Sequence, residues 1–138
     1  MSTKIWRERY EDINALERYL SRNGYLIRKV FLHISKDEQR KRLLARLDDR
    51  DKLWKFQEGD LAERGLWKQY MHAYDDAIRA TSTKHAPWYV VPANRKWFAR
   101  LVVAHVLIDA LESLHLNYPT VDRKRRRMLA GLKRQLSR

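Results

Sequence analysis

Pro87-Trp88-Tyr89-Val90-Val91-Pro92 is a short apolar run, rich in aromatic and β-branched residues and bounded by proline on both sides. Lying between two helical patterns, it reads as a short buried strand closed by a proline turn. A second run of the same character, Tyr25 to Ile34, follows Asn23-Gly24. Glycine there tolerates the left-handed geometry that stops a helix, so the second run also reads as a strand. Elsewhere the chain carries helical spacing or none. Strands alternating with helices predict a parallel α/β arrangement. Two strands are too few for a self-sufficient doubly wound sheet, so the sequence predicts a sheet that lacks neighbours.

The helical patterns fill the remaining length. Trp6, Tyr10, Ile13, Leu16 and Leu20 recur at helical spacing and predict an amphipathic helix over about 5–22. Ser35-Lys36-Asp37-Glu38 is a capping-box sequence, in which the Ser35 hydroxyl bonds the amide at the third helical position and Glu38 reaches back to the amide of the cap residue itself. The helix it opens is expected to end in the charged turn Asp48-Asp49-Arg50-Asp51, with an irregular stretch from Lys52 to Gly59. Asp60-Leu61-Ala62-Glu63 offers a second capping start for one helix running to Thr81-Ser82-Thr83. A long helix is predicted from Arg95 to His115, broken by Asn117-Tyr118-Pro119. One more helix, with Met128, Leu129, Leu132 and Leu136 on one side, closes the chain.

Charge narrows the partners. The 138 residues carry a net charge of +13 and a pI near 10.3. From Thr120 to Arg138, eight basic residues face one acid, Asp122, leaving +7 on that segment. Such a field attracts polyanions: nucleic acid, polyphosphate, nucleotides or anionic lipid. There is no cysteine, so disulfides and thiolate metal sites are excluded. No apolar run is as long as a membrane span and the N-terminus has no signal-peptide layout, so a cytoplasmic protein with no membrane partner is expected.

Several side chains are candidates on chemical grounds. Arg42 and Arg46 stand four apart on one helix face, as a pair of phosphate-binding forks or as a solvated face balanced by Asp48, Asp49 and Asp51. Lys52 and Lys55 flank Trp54, which suits phosphate contact by Lys55 with Trp54 anchoring the loop on the core; interleaved Lys and Trp also suit base stacking. Arg64 and Lys68 either extend this basic track or are simply exposed. Lys96 and Arg100 stand near a helix N-terminus, which favours anions, or form the wet side of that helix. The five histidines show no ligand spacing, so no side-chain metal site is expected, and His33 reads as a packed strand residue. The Arg123–Arg127 run is a solvated tail or a contact surface for nucleic acid or polyphosphate.

Three dense blocks carry a family likeness: His33-Ile34-Ser35-Lys36-Asp37-Glu38-Gln39, Trp54-Lys55-Phe56 with Asp60, and Thr81-Ser82-Thr83 through Pro92-Ala93. Together with Lys96-Trp97-Phe98-Ala99-Arg100-Leu101, they resemble the family-2 polyphosphate kinases over about Ile5 to Val121. These enzymes move phosphoryl groups between inorganic polyphosphate and nucleotides.

The resemblance implies a partial P-loop-kinase-like three-layer α/β fold: two parallel strands, mostly helical surroundings and a helical lid. It divides the chain into a C-terminal part of such a domain (1–121, lid about 36–68) and a basic helical tail (122–138). It also implies that Arg42, Arg46, Lys52 and Lys55 hold polyphosphate, with Lys96 and Arg100 as further phosphate contacts. Mg²⁺ is implied for a complete enzyme, with a nucleotide of the AMP or ADP type as the other substrate. The sequence departs from the family at the centre of its chemistry. Its only glycines are Gly24, Gly59, Gly65 and Gly131, so no G-x-x-x-x-G-K-S/T loop can be drawn, and no Asp-Arg pair for Mg²⁺ follows. A truncated or split form, inactive alone and completed by a separate P-loop chain or by self-association, is therefore expected. A non-catalytic polyanion-binding module is the alternative.

Overall fold

The computed structural model describes residues 3–137. In chain order they form α1 (Thr3–Arg22), β1 (Lys29–His33), α2 (Lys36–Leu47), a 3-10 turn (Arg50–Lys55), α3 (Gly59–Gly65), α4 (Trp67–Thr81), β2 (Trp88–Pro92), α5 (Lys96–Ser113) and α6 (Arg123–Leu136). β1 and β2 pair in parallel, with Val30 opposite Tyr89 and Leu32 opposite Val91. The pairing continues past the ladder ends, where Lys29 N donates to Pro87 O at 3.1 Å and Ala93 N to His33 O at 2.7 Å. The predicted parallel two-stranded arrangement is the one observed.

Strand alternation sends neighbouring residues to opposite faces, and each face has its own helices. On one face Val30, Ile34, Tyr89, Val91 and Ala93 pack against Ala99 and Val102 of α5, forming the small core. On the other, Phe31 lies 4.8 Å, ring to ring, from Tyr74 of α4. On that same side Lys29 Nζ bonds both carboxylate oxygens of Glu17 in α1, at 2.7 and 2.6 Å, and Thr81 O at 2.7 Å. This buried ion pair ties α1, β1 and the end of α4 together.

The Thr81-Ser82-Thr83 block closes the N-terminal end of β2. Thr81 Oγ1 accepts from Trp88 Nε1 at 2.9 Å, Ser82 Oγ from Trp88 N at 3.2 Å, and Thr83 Oγ1 from Ala86 N at 3.2 Å. Three hydroxyls thus satisfy an indole N–H and two backbone amides at the entry to β2. Gly24, at φ +85°, ends α1: Tyr25 N donates to Leu20 O and Gly24 N to Ser21 O, a Schellman closure.

Four expectations are corrected. The first strand is five residues long rather than spanning Tyr25–Ile34, because β2 offers five partners and residues 25–28 have none. The stretch after Asp49 is an ordered 3-10 turn capped by Asp49, whose Oδ1 accepts from Asp51 N at 3.1 Å. Asp60 does not cap α3: that helix begins at Gly59, and the Asp60 carboxylate accepts from Gln57 N at 3.2 Å. The single helix expected up to Thr81 is two, divided at Leu66 beside Gly65, where helix propensity is weakest. The expected long helix and the tail helix stand as α5 and α6. Arg138, counted with the basic tail, lies outside the described residues.

Candidate functional site

The C-terminal ends of β1 and β2 meet the starts of α2 and α5, and the chain joins these four ends by side-chain bonds. Ser35 Oγ accepts from Glu38 N at 3.1 Å, which is half of the predicted capping box. The reciprocal half is not made, because Ser35 N donates instead to Asn94 Oδ1 at 2.8 Å and Asn94 Nδ2 to Ser35 Oγ at 3.3 Å. Glu38 is thereby released to pair with Arg42 Nε at 2.8 Å. Arg42 Nη2 then reaches the carbonyls of Ala93 at 2.7 Å and Asn94 at 3.2 Å. Glu38, Arg42, Asn94 and Ser35 therefore clasp the loop after β2 to the first two turns of α2. Asn94 is the residue the sequence reading passed over; its position between a strand and a helix start was the available signal.

Arg42, Lys96 and Arg100 line one crevice of about 440 Å³ whose remaining lining is apolar: Leu32, Ala93, Ala99, Val103, Ala104 and Leu107. Beside it, His33, Ser35, Asn94, Arg95 and Phe98 line a second crevice of about 380 Å³. Three of the six candidate cations thus converge at one place, although they are far apart in sequence. Arg46 is exposed one turn further along α2 and is not among the residues lining that crevice. Lys52 pairs with Asp49, which holds the Asp49 carboxyl below the usual carboxylate range. Lys55 lies 5.0 Å above the Trp54 ring. Arg64 does not extend a basic track, since its Nη1 donates to Lys36 O at 2.7 Å and Gln39 Oε1 at 2.9 Å, fastening α3 to the start of α2.

Two side-chain expectations are overturned. Trp54 does not anchor a loop on the core: it is 77% exposed, with Nε1 donating to Asp51 O at 2.9 Å. His33 is not packed within the strand but is exposed at its end, touching Phe31 ring to ring at 5.9 Å.

Lys96 and Arg100 keep N–H donors of the kind that suit phosphate oxygens, whereas Arg42 already spends Nε on Glu38 and Nη2 on two carbonyls. Among the described residues, no group of three or more His, Asp or Glu side chains could hold a metal ion.

Parallel strands flanked by helices on both faces make this an α/β protein, a class whose ligands bind at the C-terminal edge of the strands, where these cations gather. A family profile for polyphosphate kinase 2 matches residues 1–119, and the chain belongs to that family. A crystal structure of polyphosphate kinase 2 from Arthrobacter aurescens superimposes with a TM-score of 0.85 at 50% identity, covering 95% of this chain and 47% of that one. The AMP/ADP-polyphosphate phosphotransferase of Meiothermus ruber is 53% identical over 116 residues, 84% of this chain and 43% of that protein. A Leptolyngbya boryana protein known only as an uncharacterized protein in chlN 3'region is 48% identical over 132 residues, 96% of this chain and 97% of its own length. The chain thus spans less than half of the named kinase and phosphotransferase, and the fold is the corresponding part of their P-loop-kinase-like architecture.

Proposed function

We propose that this chain is the polyphosphate-holding part of a phosphotransferase acting between inorganic polyphosphate and a nucleoside mono- or diphosphate, in the cytoplasm. The observation that carries the reading is the convergence of Arg42, Lys96 and Arg100 on one crevice, in a chain of this family. Residues 1–121 form this part, with residues 36–68 as the lid. Arg46, Lys52 and Lys55 extend the grip along the lid, and Arg42, held by Glu38 and two carbonyls, contributes its charge from a fixed position. Phosphoryl transfer depends on positioning and charge neutralisation by backbone amides and Mg²⁺. The residues for that task belong to a P-loop segment that this sequence does not contain. AMP and ADP are the proposed acceptors, after the name of the Meiothermus ruber relative.

A complementing polypeptide is part of this reading. α5 carries apolar side chains on every side, interrupted by Lys96, Arg100, His105, Asp109 and Glu112: Ala99, Val106 and Ala110 are buried, while Trp97, Leu101, Ile108 and Leu111 are exposed. A helix of that kind is at home with protein on every side. The alternative, a polyanion-binding module that never turns over, is favoured by the missing loop alone.

The test is phosphorylation of AMP and ADP by the purified chain with long-chain polyphosphate and Mg²⁺, run beside a polyphosphate-binding assay. The expected outcome is binding without turnover, and turnover once the P-loop part of a relative is added. Lys96→Ala with Arg100→Ala should weaken binding by roughly tenfold per side chain. Binding that ignores both substitutions sinks the site. No turnover with the added part leaves the non-catalytic module.

A further inference from the structure

The helix α6 lies beyond residues 1–119, which the family profile matches. Among the described helices that the proposed activity does not use, it is the one whose charge is all of one sign. Seven of its 14 residues are Lys or Arg and none is acidic. No α6 residue is buried. Its apolar side chains are correspondingly open: Met128 is 52% exposed, Leu132 46% and Leu136 89%.

At about 100° per residue, Met128, Leu129, Leu132 and Leu136 occupy one sector of roughly a hundred degrees. Lys124 and Lys133 stand just outside its two borders. Arg123, Arg126, Arg127 and Arg134 take the opposite side. Arg125 alone shares the apolar sector, on the first turn, where its long stem lets the guanidinium rise out of it. The segment leading in from α5 adds Leu116 and a Tyr118 that is 97% exposed.

We infer that α6 is an in-plane anchor that lays the protein on an anionic lipid surface. The stripe enters the boundary between headgroups and acyl chains, and the flanking lysines and the arginines meet lipid phosphates. A polyanion in solution would answer to the basic side and leave the leucine stripe and Tyr118 in water. An anionic bilayer answers to both sides together, and the positive charge matches its sign. A helix with a strong basic face, a narrow apolar face and low overall hydropathy lies in the interface rather than crossing it. No helix among the described residues is long and apolar enough to cross a membrane. The lack of a spanning helix does not count against this role, since lying on a surface needs only one face and one field.

Co-sedimentation of the full chain with vesicles tests this, comparing phosphatidylcholine alone with phosphatidylcholine containing one-third phosphatidylglycerol. The expected result is on the order of tenfold or greater preference for the anionic vesicles. Leu129→Gln with Leu132→Gln keeps every charge, alters exposed positions only, and should abolish most of that binding. The same variant should hold single-stranded nucleic acid and polyphosphate as the parent does. Failure of the parent to bind anionic vesicles overturns the inference. So does unchanged vesicle binding by the double variant, which would make α6 a charge-only polyanion arm.

Discussion

Lys29 and Glu17 show how much one side chain can decide in a chain with a small core. Lys29 sits in an otherwise apolar strand, and its ammonium is held by Glu17, by Thr81 O and by the Trp88 ring at 5.4 Å. The two side chains are only 13% and 11% exposed. Removing one partner of such a pair strands the other charge in low dielectric, which costs about 3–5 kcal/mol. Lys29→Met should lower unfolding free energy by that amount in urea titrations. Lys29→Met combined with Glu17→Leu should recover most of it, because two apolar side chains replace the pair without an orphaned charge. A single variant as stable as the parent would show that the pair contributes nothing. The lysine was visible in the sequence as an interruption of an apolar run. Its partner, twelve residues earlier on a helix with several other acids, was not.

At the scale of elements, the α3–α4 junction carries a pH dependence. The Tyr70 hydroxyl donates to the Glu63 carboxylate across the break at Leu66, and that bond raises the Tyr70 phenol above its ordinary 10.0. The native state therefore holds the phenolic proton more tightly than the unfolded state. The stability from this contact is complete below the unfolded value and is lost as pH rises through the higher folded value. Tyrosinate absorbance should show one tyrosine ionising late, and Glu63→Gln should bring it back toward the others. An unchanged titration would remove the contact from the account. The same junction shows what periodicity misses. Leu66, Trp67, Tyr70, Met71, Tyr74 and Ile78 keep helical spacing straight through the break, so only the backbone reveals it. The 3-10 turn at Arg50–Lys55 escaped for a related reason, since a six-residue turn is too short to print a period.

For the molecule as a whole, surface area sets the behaviour. A compact monomer of 16.7 kDa exposes about 7,600 Å². This chain exposes 12318 Å², and among the described residues Val91 is the one large side chain that is fully buried. Unfolding therefore uncovers only about 70% of the surface that a compact protein of this mass would uncover. The urea m-value should fall to about 70% of the value usual at this length, because m scales with newly exposed area. An m-value at the usual level would mean that the exposed faces are already covered in solution, by a second copy or by collapse. Leu32 and Val90, 54% and 55% exposed on a sheet with two open edges, mark where cover is missing.

What this sequence determined by itself was local in origin. The parallel order follows from the alternation of strands with helices, and the helix stop at Gly24, the Ser35 cap and the two β-rich runs are written in residues a few positions apart. So is the absence of a phosphate loop, which a list of four glycines settles. Family membership was legible for the same reason, since its blocks are short and dense. The tertiary structure decided everything that depends on distant residues meeting. It joined Arg42 to Lys96 and Arg100 across more than fifty residues, and it spent two of the Arg42 nitrogens on Glu38 and the loop after β2. It left Trp54 in solvent and brought His33 to an exposed strand end. It also gave the Thr81–Thr83 hydroxyls to Trp88 and Ala86. Spacing along a chain reports which side chains share a face; which face meets which is fixed only when the elements pack.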